Sequence, residues 1–150
     1  MKFTVFLSTL LALSTPVLTT PVLTTVTVAY DQTYDSGSLS LNNVACSDGA
    51  NGLVTRGYST FDSLPGFPYI GAAYAVTGWN SSACGSCWSL TYNNGQTSKN
   101  IYITAIDRAG ADSFNIALSA MNELTNNQAV QLGRVDVTAV QVAPSYCGFK

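Results

Sequence analysis

Without a single histidine in 150 residues, acid–base chemistry in this chain falls to its carboxylates. They are Asp31, Asp35, Asp48, Asp62, Asp107, Asp112, Glu123 and Asp136. The missing imidazole removes a Ser-His-Asp or Cys-His nucleophile, since neither hydroxyl nor thiol has its base. Glycine-rich phosphate loops are absent too. What remains is carboxylate chemistry on sugars. Cutting a glycosidic bond needs two carboxyl groups facing each other, about 5–5.5 Å apart for retention or about 6.5–9.5 Å for inversion. Asp107 is the best site acid, because the apolar run 101–106 delivers it to a loop. A carboxylate at the end of a buried strand costs desolvation unless it binds something, and capping the following turn is the plainer use of it. Asp48, in the glycine-flanked stretch 47–52, is its only obvious companion, and a plain turn residue is the simpler reading there. The sequence thus offers one good site acid and no convincing partner for it.

The cysteines ask for a different chemistry. Cys84-Gly85-Ser86-Cys87 has the spacing of a thioredoxin-type pair or half a zinc site. No second Cys-X-X-Cys exists, no histidine completes a metal set, and no βαβ pattern surrounds it. The four cysteines are instead expected to form two disulfides, with three connectivities open and each of Cys84 and Cys87 stapling a distant segment. The same stretch, 78–88, holds both tryptophans, Trp79 and Trp88, and is expected to anchor the core. It also carries the sequon Asn80-Ser81-Ser82, which makes Asn80 a glycosylation candidate.

Disulfides require an oxidising compartment, and the N-terminus supplies the address. Met1-Lys2 is followed by an uncharged apolar run over residues 3–13 and the small-X-small triplet Ala12-Leu13-Ser14. That is a secretory signal peptide, too short to span a bilayer. Pro-Val-Leu-Thr-Thr then occurs twice, over 16–20 and 21–25, as an extended leader. Cleavage is expected between 14 and 25. Residues 1–20 read as signal and leader, and 21–150 as one domain, secreted to the extracellular space or cell wall.

Composition narrows the partner. Charged residues are 9% of the chain and the net charge is −2. No basic cluster exists to attract nucleic acid or an anionic membrane. A surface of hydroxyl and amide groups beside tyrosines suits a neutral, hydroxyl-rich ligand such as a polysaccharide.

The elements that must position these residues are mostly strands. Residues 25–30 alternate, with Val26, Val28 and Tyr30 on one face. Residues 39–46 are expected to form a second short strand, and 59–64 one capped helical turn stopped by Pro65. Trp88, Leu90 and Tyr92 share a strand face. Asn93-Asn94-Gly95 then turns the chain into the buried strand 101–106. Ala117, Ala120, Met121 and Leu124 make a helical stripe, with Ser119 or Asn115 as its cap. Residues 134–142 form the last strand. The sum is mainly β with one or two short helices, and a small closed barrel is the expected architecture.

Several motifs now resemble the cerato-platanin family of small secreted fungal proteins. They are Val28-Ala29-Tyr30-Asp31, Val44-Ala45-Cys46-Ser47-Asp48-Gly49 with Asn51-Gly52-Leu53, and Pro65-Gly66-Phe67-Pro68. Gly78-Trp79, Cys84-Gly85-Ser86-Cys87-Trp88, Asp107, Phe114-Asn115, and Gly133-Arg134-Val135-Asp136 before Cys147 follow in order. The resemblance implies a six-stranded double-psi β-barrel with short α-helices and the disulfides Cys46–Cys84 and Cys87–Cys147. It implies a non-catalytic protein, without cofactor or metal, that binds chitin-type oligosaccharides and loosens cellulose in an expansin-like way. Plants perceive such proteins as elicitors or phytotoxins, so a plant receptor is an implied partner and a monomer the implied state. The implied sugar groove is lined by Ser47, Asp48, Gly49, Gly52, Asp107 and Asn115, with Tyr30 and Asp31 as neighbours. Ala50 stands where the family has an acid or amide, and Asn80 stands where it commonly has Asp. The competing expectations are a weak glycosidase or transglycosylase on the same barrel, and a coat protein that self-assembles at interfaces.

Overall fold

Six strands, each hydrogen-bonded to two others, close into a barrel with no free sheet edge. The computed structural model describes residues 23–150; the expected signal, leader and cleavage region lie outside the described residues except for its last three positions. In chain order the strands are β1 (Thr24–Tyr30), β2 (Ile70–Ala73), β3 (Cys87–Asn93), β4 (Ser98–Arg108), β5 (Ser113–Ile116) and β6 (Arg134–Val142). Around the barrel they run β1-β5-β2-β4-β3-β6, and β6 returns to β1. The pairs β1–β5 and β2–β4 are parallel and the other four antiparallel. This is the six-stranded double-psi barrel that the resemblance implied.

Alternation decides which faces are inside. Val26 and Val28 of β1 lie opposite Val137 and Val135 of β6, all buried. Leu90 and Trp88 of β3 face Ile101 and Ile103 of β4. Between these two strands the expected turn forms, with Asn93 Oδ1 accepting from Gly95 N at 2.8 Å. Gly95 sits at φ +87°, a conformation glycine adopts without strain. Trp88, Phe114 and Tyr74 then fill the interior with ring centroids 5.5–5.7 Å apart, mostly edge to face.

Helix α1 (Leu118–Thr125) closes one side of the barrel with Ala120, Met121 and Leu124 fully buried. Neither expected residue caps it. The side chain of Asp35, more than 80 positions earlier, accepts from Leu118 N at 2.7 Å and from Ser119 N at 3.0 Å. A distant carboxylate wins because it brings a full negative charge to the helix's free amides. A single further turn, α2 (Ala129–Leu132), follows.

Two other expectations are corrected. Residues 39–46 do not form a strand. They contain a 3-10 turn, Leu41–Asn43, because Ser40 Oγ accepts from Asn42 N and local bonding of that kind competes with a ladder. The strand expected over 101–106 extends to Ser98–Arg108, so Asp107 is its penultimate residue rather than a loop residue. The four-residue strands β2 and β5 were not anticipated. The helical turn expected near Pro65 is present as the 3-10 turn Phe61–Ser63.

The disulfides join Cys46 to Cys84 and Cys87 to Cys147, across 38 and 60 positions. With only two residues between them in sequence, Cys84 and Cys87 serve different bridges. Each ring stabilises the fold by about 4 kcal/mol in the chain-entropy account.

Candidate functional site

At the end of β4 the ladder is interrupted. Gly71 of β2 pairs with Ala105, but its neighbour Ala72 pairs with Asp107, so β4 carries one extra residue there. A bulge of this kind re-aims the side chains that follow it. Ala72 also lies opposite Asn115 of β5, and Asn115 opposite Ala29 of β1. Ala29, Asn115, Ala72 and Asp107 therefore form one row across four strands, with Asp107 two strands from Asn115, about 10 Å. Tyr30 pairs with Ile116 beside this row, and Asp31 N donates to Ile116 O at 2.9 Å.

The half-buried carboxylate of Asp107 accepts three hydrogen bonds. Tyr34 Oη donates at 3.1 Å, Ala45 N at 3.0 Å and Arg108 N at 2.8 Å. A carboxylate offers about four acceptor positions, so about one is left for a ligand. Tyr34 belongs to the 3-10 turn Gln32–Asp35, which Asp31 caps by accepting from Thr33 N at 2.8 Å. Its phenol is pushed well above the ordinary tyrosine range, first by burial, then by the charge and hydrogen bond of Asp107 and the charge of Asp31. It is thus held as a donor to Asp107. Among the described residues, no hydrogen bond joins Asp107 to another carboxyl group.

The bond to Ala45 docks the segment that carries the remaining candidates. Cys46 N donates to Ile106 O at 3.1 Å, and Leu53 N and Val54 N return to Cys46 O and Ser47 O at 2.9 and 2.8 Å. Residues 47–52 are thereby a tight loop rooted at Asp107. Gly52 is obligatory, since a Cβ there would lie 2.2 Å from the Asp48 carbonyl oxygen. At Gly49, φ is +83° and a Cβ would lie 2.8 Å from Asn80 Oδ1. Both glycines shape the loop, and Ser47 is nearly buried.

Asp48 is exposed and accepts from Trp79 Nε1 at 2.6 Å. That bond is the largest influence on the carboxyl and lowers it below its ordinary value; desolvation opposes it, and the loop's own backbone and Ser47 add lesser contributions in the same downward direction. Trp79 is 64% exposed, unlike Trp88 at 6%, so only the second tryptophan anchors the core as expected. The indole has no apolar enclosure and is held by its polar edge. Asn80 follows in a left-handed conformation, φ +58°, with Oδ1 accepting from Asn51 N and its carbonyl from Asn51 Nδ2, both at 2.9 Å. The sequon asparagine thus braces the same loop.

Asp107, Asn115, Tyr30 and Asp31 consequently share the barrel's end, and Asp48 follows Ala45 by three residues, at most about 11 Å of chain. Tyr34 and Trp79 are the participants that sequence reasoning missed. Tyr34 looked like part of a polar loop. Trp79 carried a signal in hindsight, lying between Gly78 and Asn80, where chain turns do not build a core. Clefts of about 520 and 350 Å³ lie elsewhere on the barrel, and neither is lined by Asp107, Asn115 or Asp48. Among the described residues, no three His, Cys, Asp or Glu side chains gather where a metal ion would sit.

Known proteins share this architecture. The profile of the cerato-platanin family matches residues 26–149. An Arthroderma benhamiae protein named as a homologue of allergen Asp f 15 is 52% identical over 126 residues, 84% of this chain. This chain spans 60% of that relative's length. The crystal structure of cerato-platanin 2 from M. perniciosa is 48% identical, with a TM-score of 0.80 over 84% of this chain and 100% of the other. The solution structure of the fungal elicitor cerato-platanin is 39% identical, with a TM-score of 0.71 over 81% and 96%. None of these names describes an enzyme. The sequence profile, the identities and the shared barrel together place this chain in the cerato-platanin family.

Proposed function

We propose that the protein is a secreted, non-catalytic saccharide-binding protein that acts on polysaccharide walls and is perceived as an elicitor. The observation that carries this reading is Trp79, a large exposed ring pinned by Asp48 beside a loop rooted at Asp107. A pyranose ring presents an apolar face to an aromatic plane and hydroxyls at its rim. Trp79 supplies the plane and Asp48 an acceptor beside it, while Asp107, Asn115 and Asp31 supply further acceptors and an amide at the barrel's end. Chitin-type oligosaccharide fits this set, being neutral, rich in hydroxyls and furnished with amides. An open surface repays little of the association cost, so the affinity is modest. Ser47, Gly49, Gly52 and Tyr30 contribute through the shape of the loop and strand.

Cleavage finds less support. Asp107 is committed to three donors, and a general acid needs a proton to give. Binding between neighbouring chains, with no bond cut, is a sufficient basis for expansin-like loosening. The elicitor role rests on the solved relative that carries that description, and it implies a plant receptor for the monomer. The proteins that nucleic acid or membranes recruit carry basic clusters, and this sequence has none.

Titration with chitin oligomers, followed by amide and indole NMR shifts, tests the reading. Trp79→Ala is expected to weaken binding about tenfold. Identical titrations for both proteins would refute the assignment, and release of reducing ends would favour a hydrolase.

A further inference from the structure

A second aromatic surface lies away from Trp79. Tyr102 of β4 and Tyr146, in the 3-10 turn Pro144–Cys147, stack with centroids 5.0 Å apart and planes inclined by 30°. They are 37% and 59% exposed. With Tyr69 they line the cleft of about 350 Å³, whose other walls include Asn100, Glu123 and Gly66. Three of the chain's eight tyrosines therefore meet at one opening.

The cleft is equipped for hydrogen bonding as well. Asn100 directs its Nδ2 to Ser89 Oγ at 2.6 Å and to Thr91 Oγ1 at 2.9 Å, which leaves its Oδ1 as an acceptor. Glu123 is exposed at the rim, 3.6 Å from Lys99 Nζ. Thr104, two residues beyond Tyr102 on the same face of β4, is fully buried, and its hydroxyl has no hydrogen-bond partner among the described residues. It lies under the cleft wall, 3.5 Å from where a Cβ on Gly66 would be.

We propose that this cleft is a second saccharide-binding site, taking a pyranose unit of a neutral polysaccharide against the Tyr102–Tyr146 pair. The inference rests on the saccharide reading above and extends it. Five residues of β4 separate Tyr102 from Asp107, about 17 Å, so the two sites cannot hold the same sugar unit. They can hold one long chain at two places, or two chains at once. Two weak sites on one rigid barrel bind a solid polysaccharide far more tightly than either binds a short oligomer, because the second contact is intramolecular.

The test compares soluble chitin oligomers with insoluble chitin for the wild type, Trp79→Ala and the double variant Tyr102→Ala/Tyr146→Ala. Both tyrosines are exposed, and the Tyr102→Phe/Tyr146→Phe variant, which keeps the rings, controls for altered folding. Oligomer is expected to shift the ring resonances of Tyr102 and Tyr146. The alanine pair is expected to lose about tenfold in adsorption to the solid while Trp79 still responds to oligomer, and the phenylalanine pair to adsorb nearly as wild type. Shifts at Trp79 with none at the tyrosines, and unchanged adsorption of the alanine pair, would overturn the second site alone. No response at either surface would remove the saccharide reading itself.

Discussion

Replacing Asp107 separates its part in holding the fold from the ligand contact proposed for it. In Asp107→Ala the Tyr34 hydroxyl and the Ala45 amide lose their acceptor, while the Arg108 amide is at the surface and turns to water. A hydrogen bond to a charged group contributes about 1.5–3 kcal/mol, and the half-buried position favours the lower figure, so the loss is about 3 kcal/mol. For a domain of this size that lowers Tm by about 10 °C. Asp107→Asn behaves differently. Its Oδ1 still serves Ala45, and its amide can donate to the Tyr34 oxygen, which accepts as readily as it donates. Only charge assistance disappears, about 1 kcal/mol. Urea unfolding followed by tryptophan fluorescence, with disulfides intact, measures both. The ordering wild type, Asn, Ala is the essential result, with an unchanged m-value. An alanine variant within about 0.5 kcal/mol of wild type would show that Asp107 does not hold the loop and the 3-10 turn together.

Two further outcomes concern pH. Tyr34 titrates above its unfolded value of about 10, so the stability it contributes is complete below that pH and declines as alkali rises past it. Tyr34→Phe should flatten the alkaline limb of a stability–pH curve, and an equally steep limb would contradict the assigned burial. Asp48 titrates in the opposite sense. Its bond with Trp79 is present above the ordinary carboxyl value and is lost only as pH falls through a lower one. The acid transition in Trp79 fluorescence should have its midpoint below about 3.9 and vanish in Asp48→Asn; a midpoint above that value would refute the pairing.

Long, regular elements were readable in advance. Strands β1, β3 and β6 alternate over seven to nine residues, and the α1 stripe repeats at helical spacing. Strands β2 and β5 were not, because four residues such as Ile70-Gly71-Ala72-Ala73 offer no period to count and are held extended by their neighbours. The same limit hid the cap of α1, since Asp35 is adjacent to Leu118 only after the barrel closes. In the candidate site, Asp107 was legible from the apolar run before it. Its partner Tyr34 was not, because a buried phenol and an exposed one look alike in a polar stretch. Trp79 was misjudged by residue type alone: an indole is usually interior, whereas this one is exposed and bonded to an exposed carboxylate.

The placement of the disulfides has a consequence for resistance to proteolysis. One covalent ring runs from Cys46 to Cys84 and the next from Cys87 to Cys147, joined by Gly85-Ser86. Five of the six strands, all but β1, lie inside one ring or the other. A protease that severs any single peptide bond within either loop therefore frees no fragment, and the nicked chain remains one molecule, able to re-form its contacts when the enzyme moves on.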